Sequence, residues 1–129
     1  MLIDRSGTNT EQLLIPAADA MPESRYSFAP SNGEFSGVRT FAEQVKYLAA
    51  ANYQLAAATL AEEPPAGTDH ETAPDSVKTK AQVMDYLKGS FTSLHRAAAA
   101  LNALVHSSNH YGQMVEYLRM NNIVPPASR

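Results

Sequence analysis

Three stretches of the chain carry apolar residues at helical spacing, and each is bounded by recognisable start and stop signals. In the first, Leu13, Leu14, Ala17, Ala18 and Met21 fall on one side of a helix. Thr8-Asn9-Thr10-Glu11 has the spacing of a capping box, so the helix is expected to begin near Thr8. Pro16 lies inside the pattern and lacks a backbone donor, which predicts a kink or a later start; Pro22 ends the run. The second stretch is the clearest. Thr40-Phe41-Ala42-Glu43 is a capping box, and Phe41, Val45, Leu48, Asn52, Leu55 and Thr59 follow at steps of three and four. Glu62-Glu63-Pro64-Pro65 closes it. The third opens at Thr79-Lys80-Ala81-Gln82, another capping-box spacing, and continues through Val83, Leu87, Phe91, Leu94, Ala98, Leu101 and Val105.

Beyond Leu101 the apolar phase changes, and Leu104, Tyr111, Met114, Val115 and Leu118 form a shifted stripe. No glycine or proline lies between Val83 and Tyr111 except Gly89. Local propensity therefore predicts one helix from about residue 80 to about residue 121, about 60 Å long at 1.5 Å per residue. Such a helix either supercoils with a partner or breaks where its phase changes, here between residues 102 and 109. Asn121-Asn122 supplies a left-handed cap, and Pro125-Pro126 forbids continuation. Between the helices, Pro22 to Gly37 reads as an irregular connector with a turn at Asn32-Gly33. Tyr26 and Phe28 are expected to pin it to the helices, a two-stranded ribbon being the alternative. Pro64 to Val77 reads as a loop containing His70.

Composition agrees with an all-α single domain spanning residues 1–129. Hydrophobic residues make up 44% and charged residues 18%, which suits a packed core rather than a disordered chain. The formal net charge of -3 and the lack of a cationic run give no footprint for nucleic acid or an anionic membrane. No apolar run approaches 18 residues, so no membrane span is expected. The absence of cysteine excludes disulfides, zinc-thiolate sites and thiol nucleophiles. The stretch Met1 to Thr10 is polar and lacks the apolar core of a secretory signal, and a cytoplasmic location is the default.

Among the four histidines, His106 and His110 carry the chemistry. A spacing of four on a helix places both imidazoles on one face, about 5–6 Å apart at Cβ. Two neutral imidazoles so placed can chelate one divalent ion with further ligands from elsewhere. They can equally be a pair packed beside a helix contact. Arg119 suits an anion or simply the last turn of a helix. His95 and Arg96 face solvent or reach the site if the chain folds back. Glu43 and Tyr47 share a face of the second helix. Tyr53, Tyr86 and the methionines Met21, Met84, Met114 and Met120 read as core. No phosphate loop, Ser-centred elbow, HExxH or EF-hand pattern is present.

The run His106-Ser107-Ser108-Asn109-His110-Tyr111-Gly112-Gln113-Met114-Val115-Glu116-Tyr117-Leu118-Arg119, followed by Ile123-Val124-Pro125-Pro126, resembles the last helix and tail of DinB-like proteins. Ala20-Met21-Pro22-Glu23 with Tyr26-Ser27-Phe28 resembles the end of their first helix, and Val38 to Val45 the start of their second. The resemblance implies a DinB-like or YfiT-like up-down helical bundle. It also implies a divalent metal, zinc or nickel, held by a histidine of the second helix and a pair on the last, and frequent homodimers. Related members resemble metal-dependent hydrolases or thiol S-transferases acting on small molecules. Carried onto this chain, the pair is His106 and His110, while the third-ligand position holds Tyr47. A phenol ligates well only as phenolate, so the site is expected to be impaired.

The chain also departs in length: Ala97 to Asn102 runs almost directly into His106, without the usual turn and return. The third and fourth helices are then fused, and their apolar stripe is left for a second chain to cover. Three readings follow. The chain is a metal-binding DinB-like protein, a non-catalytic helical dimeriser that has lost its metal, or an internally deleted gene product.

Overall fold

The computed structural model describes residues 2–30, 37–69 and 72–128, with side chains from Thr8 onward. The Asn32-Gly33 turn and His70 lie outside the described residues. The fold is all-α, with three helices and no strand among the described residues: α1 (Leu2–Ala20), α2 (Phe41–Leu60) and α3 (Lys80–Met120). Single 3-10 turns lie at Glu23–Arg25 and Pro126–Ser128. None of the helices is long and apolar enough to cross a membrane. The chain divides into two compact units, residues 1–98 and residues 99–129, with α3 contributing to both.

Two of the three expected capping boxes form. Thr40 Oγ1 accepts the Glu43 N–H at 3.1 Å, and the first two N–H groups of α2, from Phe41 and Ala42, donate to the Phe28 and Tyr26 carbonyls. At the start of α3 the box is reciprocal: Gln82 N–H donates to Thr79 Oγ1, and Thr79 N–H donates to Gln82 Oε1. The third box does not form, because α1 already begins at Leu2 and holds Thr8 in its interior. Once a first turn exists, each added residue gains a hydrogen bond whether or not it continues an apolar stripe. Pro16 sits within α1, so the later start it suggested is overturned as well.

The first unit packs α1, α2 and the first half of α3 around Val45, Ala49, Ala50, Val83, Leu87 and Phe91. Much of the α2 surface in this core is alanine: Ala49, Ala50, Ala56 and Ala57 are buried, while Leu55 is 62% exposed. In α1, Ala18 is buried and Leu13 is 74% exposed. The bulky stripes drawn through Leu13, Leu55 and Thr59 are thus displaced by small residues, which let helix axes come close. Where α2 meets α3 the contact is polar and tight. Asn52 Nδ2 donates to Ser90 Oγ at 3.2 Å, and the fully buried Ser90 hydroxyl donates to the Leu87 carbonyl at 2.6 Å. Beside them, the Tyr53 hydroxyl occupies the space a side chain at Gly89 would need.

That close approach gives a signed prediction. Gly89→Ala gains about 1 kcal/mol of helix propensity but forces the Tyr53 ring to shift against Tyr86, whose centroid is 4.9 Å away. Overpacking of this kind costs about 1–3 kcal/mol, so the variant is expected to be destabilised. In a Tyr53→Phe background the obstructing hydroxyl is gone, and Gly89→Ala should become stabilising. Denaturant midpoints around this double-mutant cycle check the reversal of sign.

The connectors are tied down by few bonds. Tyr26 is buried and donates its hydroxyl to the Ala18 carbonyl at 2.6 Å, with Phe41 packed edge-on at 5.3 Å. It pins the first connector as expected, whereas Phe28 is exposed and is held through its backbone, its N–H donating to the Arg25 carbonyl and its carbonyl accepting from Phe41. Lys80 Nζ donates to the Asp19 and Met21 carbonyls at 2.6 and 3.0 Å, capping the end of α1 from the start of α3. Helix α2 ends on Ala61 in the left-handed conformation (φ 54°), with the Glu62 N–H returning to the Ala57 carbonyl. A left-handed alanine costs about 1 kcal/mol that glycine does not. Ala61→Gly is therefore expected to stabilise the fold by about 1 kcal/mol, read from its denaturant midpoint.

The second unit is the rest of α3 and the tail. Helix α3 does not break at residues 102–109, and the predicted fusion of two helices into one holds. It ends at the asparagine pair as expected: Asn122 is left-handed (φ 60°) and the Ile123 N–H reaches the Leu118 carbonyl at 2.9 Å. Here the apolar stripe is largely uncovered. Leu104 is 65% exposed, Tyr111 and Met114 are exposed, and Val115 and Leu118 are half-buried. Met120 is 79% exposed, so Met114 and Met120 are not core, in contrast to Met84.

Candidate functional site

The site is a property of α3 alone. Because its backbone stays helical through residues 106–110, His106 and His110 stand one turn apart on the same face, and both are exposed. Their rings meet edge to face, with centroids 4.5 Å apart and planes at 77°. The two Nε2 atoms lie 3.1 Å from each other. That distance suits a hydrogen bond from a ring protonated at Nε2 to one that is not. It also suits two ligands of one ion: at Zn–N distances of 2.0–2.1 Å, tetrahedral neighbours sit about 3.3 Å apart. The two Nε2 atoms therefore stand at chelating distance.

The rest of a ligand set is not there. Among the described residues no three His, Cys, Asp or Glu side chains group so as to hold a metal. Tyr47 belongs to the first unit, where the Arg39 guanidinium lies 4.5 Å over its ring centroid. The sequence carries no signal for this contact, since Arg39 precedes the α2 cap and its position depends on the connector. His95 and Arg96 do not turn back to a site. His95 Nε2 lies 3.3 Å from Glu11 Oε2 of α1, and Arg96 pairs with Glu62 of α2 at 3.0 Å. Both contacts are internal to the first unit. Arg119 occupies the last turn of α3, where a cation opposes the helix dipole.

Other features of the first unit offer less chemistry. A cleft of about 160 Å³ lined by Leu14, Phe41, Val45, Leu48 and Leu87 is apolar. Burial raises the Tyr53 hydroxyl pKa, with repulsion from Tyr86 adding to it. Burial also raises that of Tyr86, opposed by its hydrogen bond with Thr68. Neither phenol is therefore disposed to ligate as phenolate at neutral pH.

The fit to a metal is thus half complete: two nitrogen donors stand together, and among the described residues no third donor is grouped with them. No family model, no curated protein and no solved structure matches the chain.

Proposed function

We propose that the chain is a DinB-like helical protein that binds a divalent ion, zinc or nickel, through His106 and His110. The 3.1 Å separation of the two Nε2 atoms carries this reading. The C-terminal run from His106 to Pro126 supports the family assignment by its resemblance. Zinc and nickel both suit imidazole donors. A bound ion would lower the pKa of its water or activate a substrate thiol, the chemistry of metal-dependent hydrolases and thiol S-transferases. This chain's own part is to hold the two imidazole nitrogens one helical turn apart on one face of α3, exposed and open to a small-molecule substrate.

A second reading is favoured by the exposed stripe of Leu104, Tyr111 and Met114. In it, the chain is a non-catalytic protein whose function is to form a homodimer through that face. Contiguous exposed apolar surface of this kind marks interaction sites.

Calorimetric titration with zinc chloride and nickel chloride tests the first reading. Saturable binding of either ion supports it and justifies hydrolase and thiol-transfer assays on the loaded protein. Absence of binding to both contradicts it and leaves the dimeriser.

A further inference from the structure

We propose that the ion is shared between two copies of the chain, His106 and His110 of each supplying half of a four-imidazole site. The inference rests on the metal-binding reading above and names the partner that completes it. Its starting point is coordination number. A structural zinc site takes four ligands, and an ion held by two imidazoles keeps two positions for water or a second donor pair. The described residues of one chain offer no third acidic or imidazole donor grouped with the pair. A second copy brings an identical, already converged pair across a two-fold axis, the usual symmetry of self-association.

The surface around the pair suits that approach. From Ala97 to Val115 the chain contains no Asp, Glu, Lys or Arg, so two copies of this face meet without like-charge repulsion between fixed charges. Ala103 and Ala99, exposed one and two turns before the pair on the same side of α3, are short, and the imidazoles project beyond them. On metal binding each ring gives its Nε2 lone pair. In each chain the ring that carried the Nε2 proton gives it to solvent and takes one at Nδ1, so both rings bind as neutral Nδ1–H tautomers, and across the two chains two hydrogen bonds are replaced by four metal–nitrogen bonds.

The bridge lies away from most of the apolar stripe. At 100° per residue the histidine pair lies roughly 120° around α3 from Leu104, Tyr111 and Leu118, and about 60° from Met114. Metal-driven pairing is therefore superimposed on whatever association the stripe produces in metal-free protein.

The test is zinc titration of the full chain, followed in parallel by calorimetry and light scattering. The expected result is saturation at one zinc per two chains, with at least a doubling of the metal-free mass that EDTA reverses. His110→Ala and His106→Ala should each abolish the mass increase while keeping their thermal melts, since both side chains are exposed. Saturation at one zinc per chain with unchanged mass overturns the bridge and leaves the metal-binding reading intact. Absence of any binding overturns both. Titration with cobalt(II) adds a spectroscopic check: the strong visible bands of a tetrahedral nitrogen site support the bridge, and the weak bands of a hydrated six-coordinate ion contradict it.

Discussion

His110→Ala is expected to abolish stoichiometric metal binding while leaving the fold intact. The reason is chelation. With both rings present, one helix delivers two nitrogens already 3.1 Å apart. With one ring, the ion has a single imidazole on an exposed helix, and no carboxylate is grouped with it among the described residues. Loss of even an outer-shell partner costs about 10–100-fold in metal affinity, and loss of a direct ligand from a pair should cost at least that. The side chain is exposed, so stability should stay within about 0.5 kcal/mol. Calorimetric titration and a thermal melt on the same sample separate the two effects. Undiminished binding with an intact melt would place the ion elsewhere.

Phe91→Ala is expected to be the most damaging single truncation of the core, by about 3–5 kcal/mol. Phe91 is 1% exposed, is the largest side chain among those fully buried, and belongs to the core cluster to which α1, α2 and α3 all contribute. Domains of this size have about 5–15 kcal/mol of stability, so the variant should unfold in mild denaturant or on modest warming. Leu13→Ala supplies the contrast. Leu13 is apolar and in helical register with the core, yet faces outward, and its loss should cost no more than about 0.5 kcal/mol. Urea unfolding of the two variants checks the difference.

These contrasts show what could be read from the chain and what could not. The starts of α2 and α3 were legible because a capping box is a local hydrogen-bond arrangement between residues three apart, and Thr40 and Thr79 both satisfy it. The end of α3 was legible for the same kind of reason, since asparagine tolerates the left-handed turn at Asn122. The length of α3 followed from the absence of a breaker. What escaped depends on partners distant in sequence. Leu13 and Leu55 look like core in a linear pattern but are exposed; of the expected α1 face Ala18 is buried, and α2 turns Ala50 and Ala57 inward on the helix whose Asn52 and Tyr53 meet Ser90 and Gly89. Met114 and Met120 looked like core because nothing local says that α3 outruns its neighbours.

The candidate site divides along the same line. The spacing of His106 and His110 predicts their convergence, since both sit on one helix. A third ligand would come from another element or another chain, and no spacing rule reaches that far. Tyr47 was named from a family resemblance, and in the structure it is a ring under Arg39 within the first unit.

If the chain binds metal as proposed, the Nε2 atoms of His106 and His110 take the ion. Imidazole nitrogen NMR on uniformly labelled protein, recorded while zinc chloride is added, reads those atoms directly. The Nε2 signals of His106 and His110 are expected to shift together, at the same zinc ratio, while His95 stays put. Movement of His95 or His70 instead, or no movement of the pair at saturating zinc, would contradict the proposal.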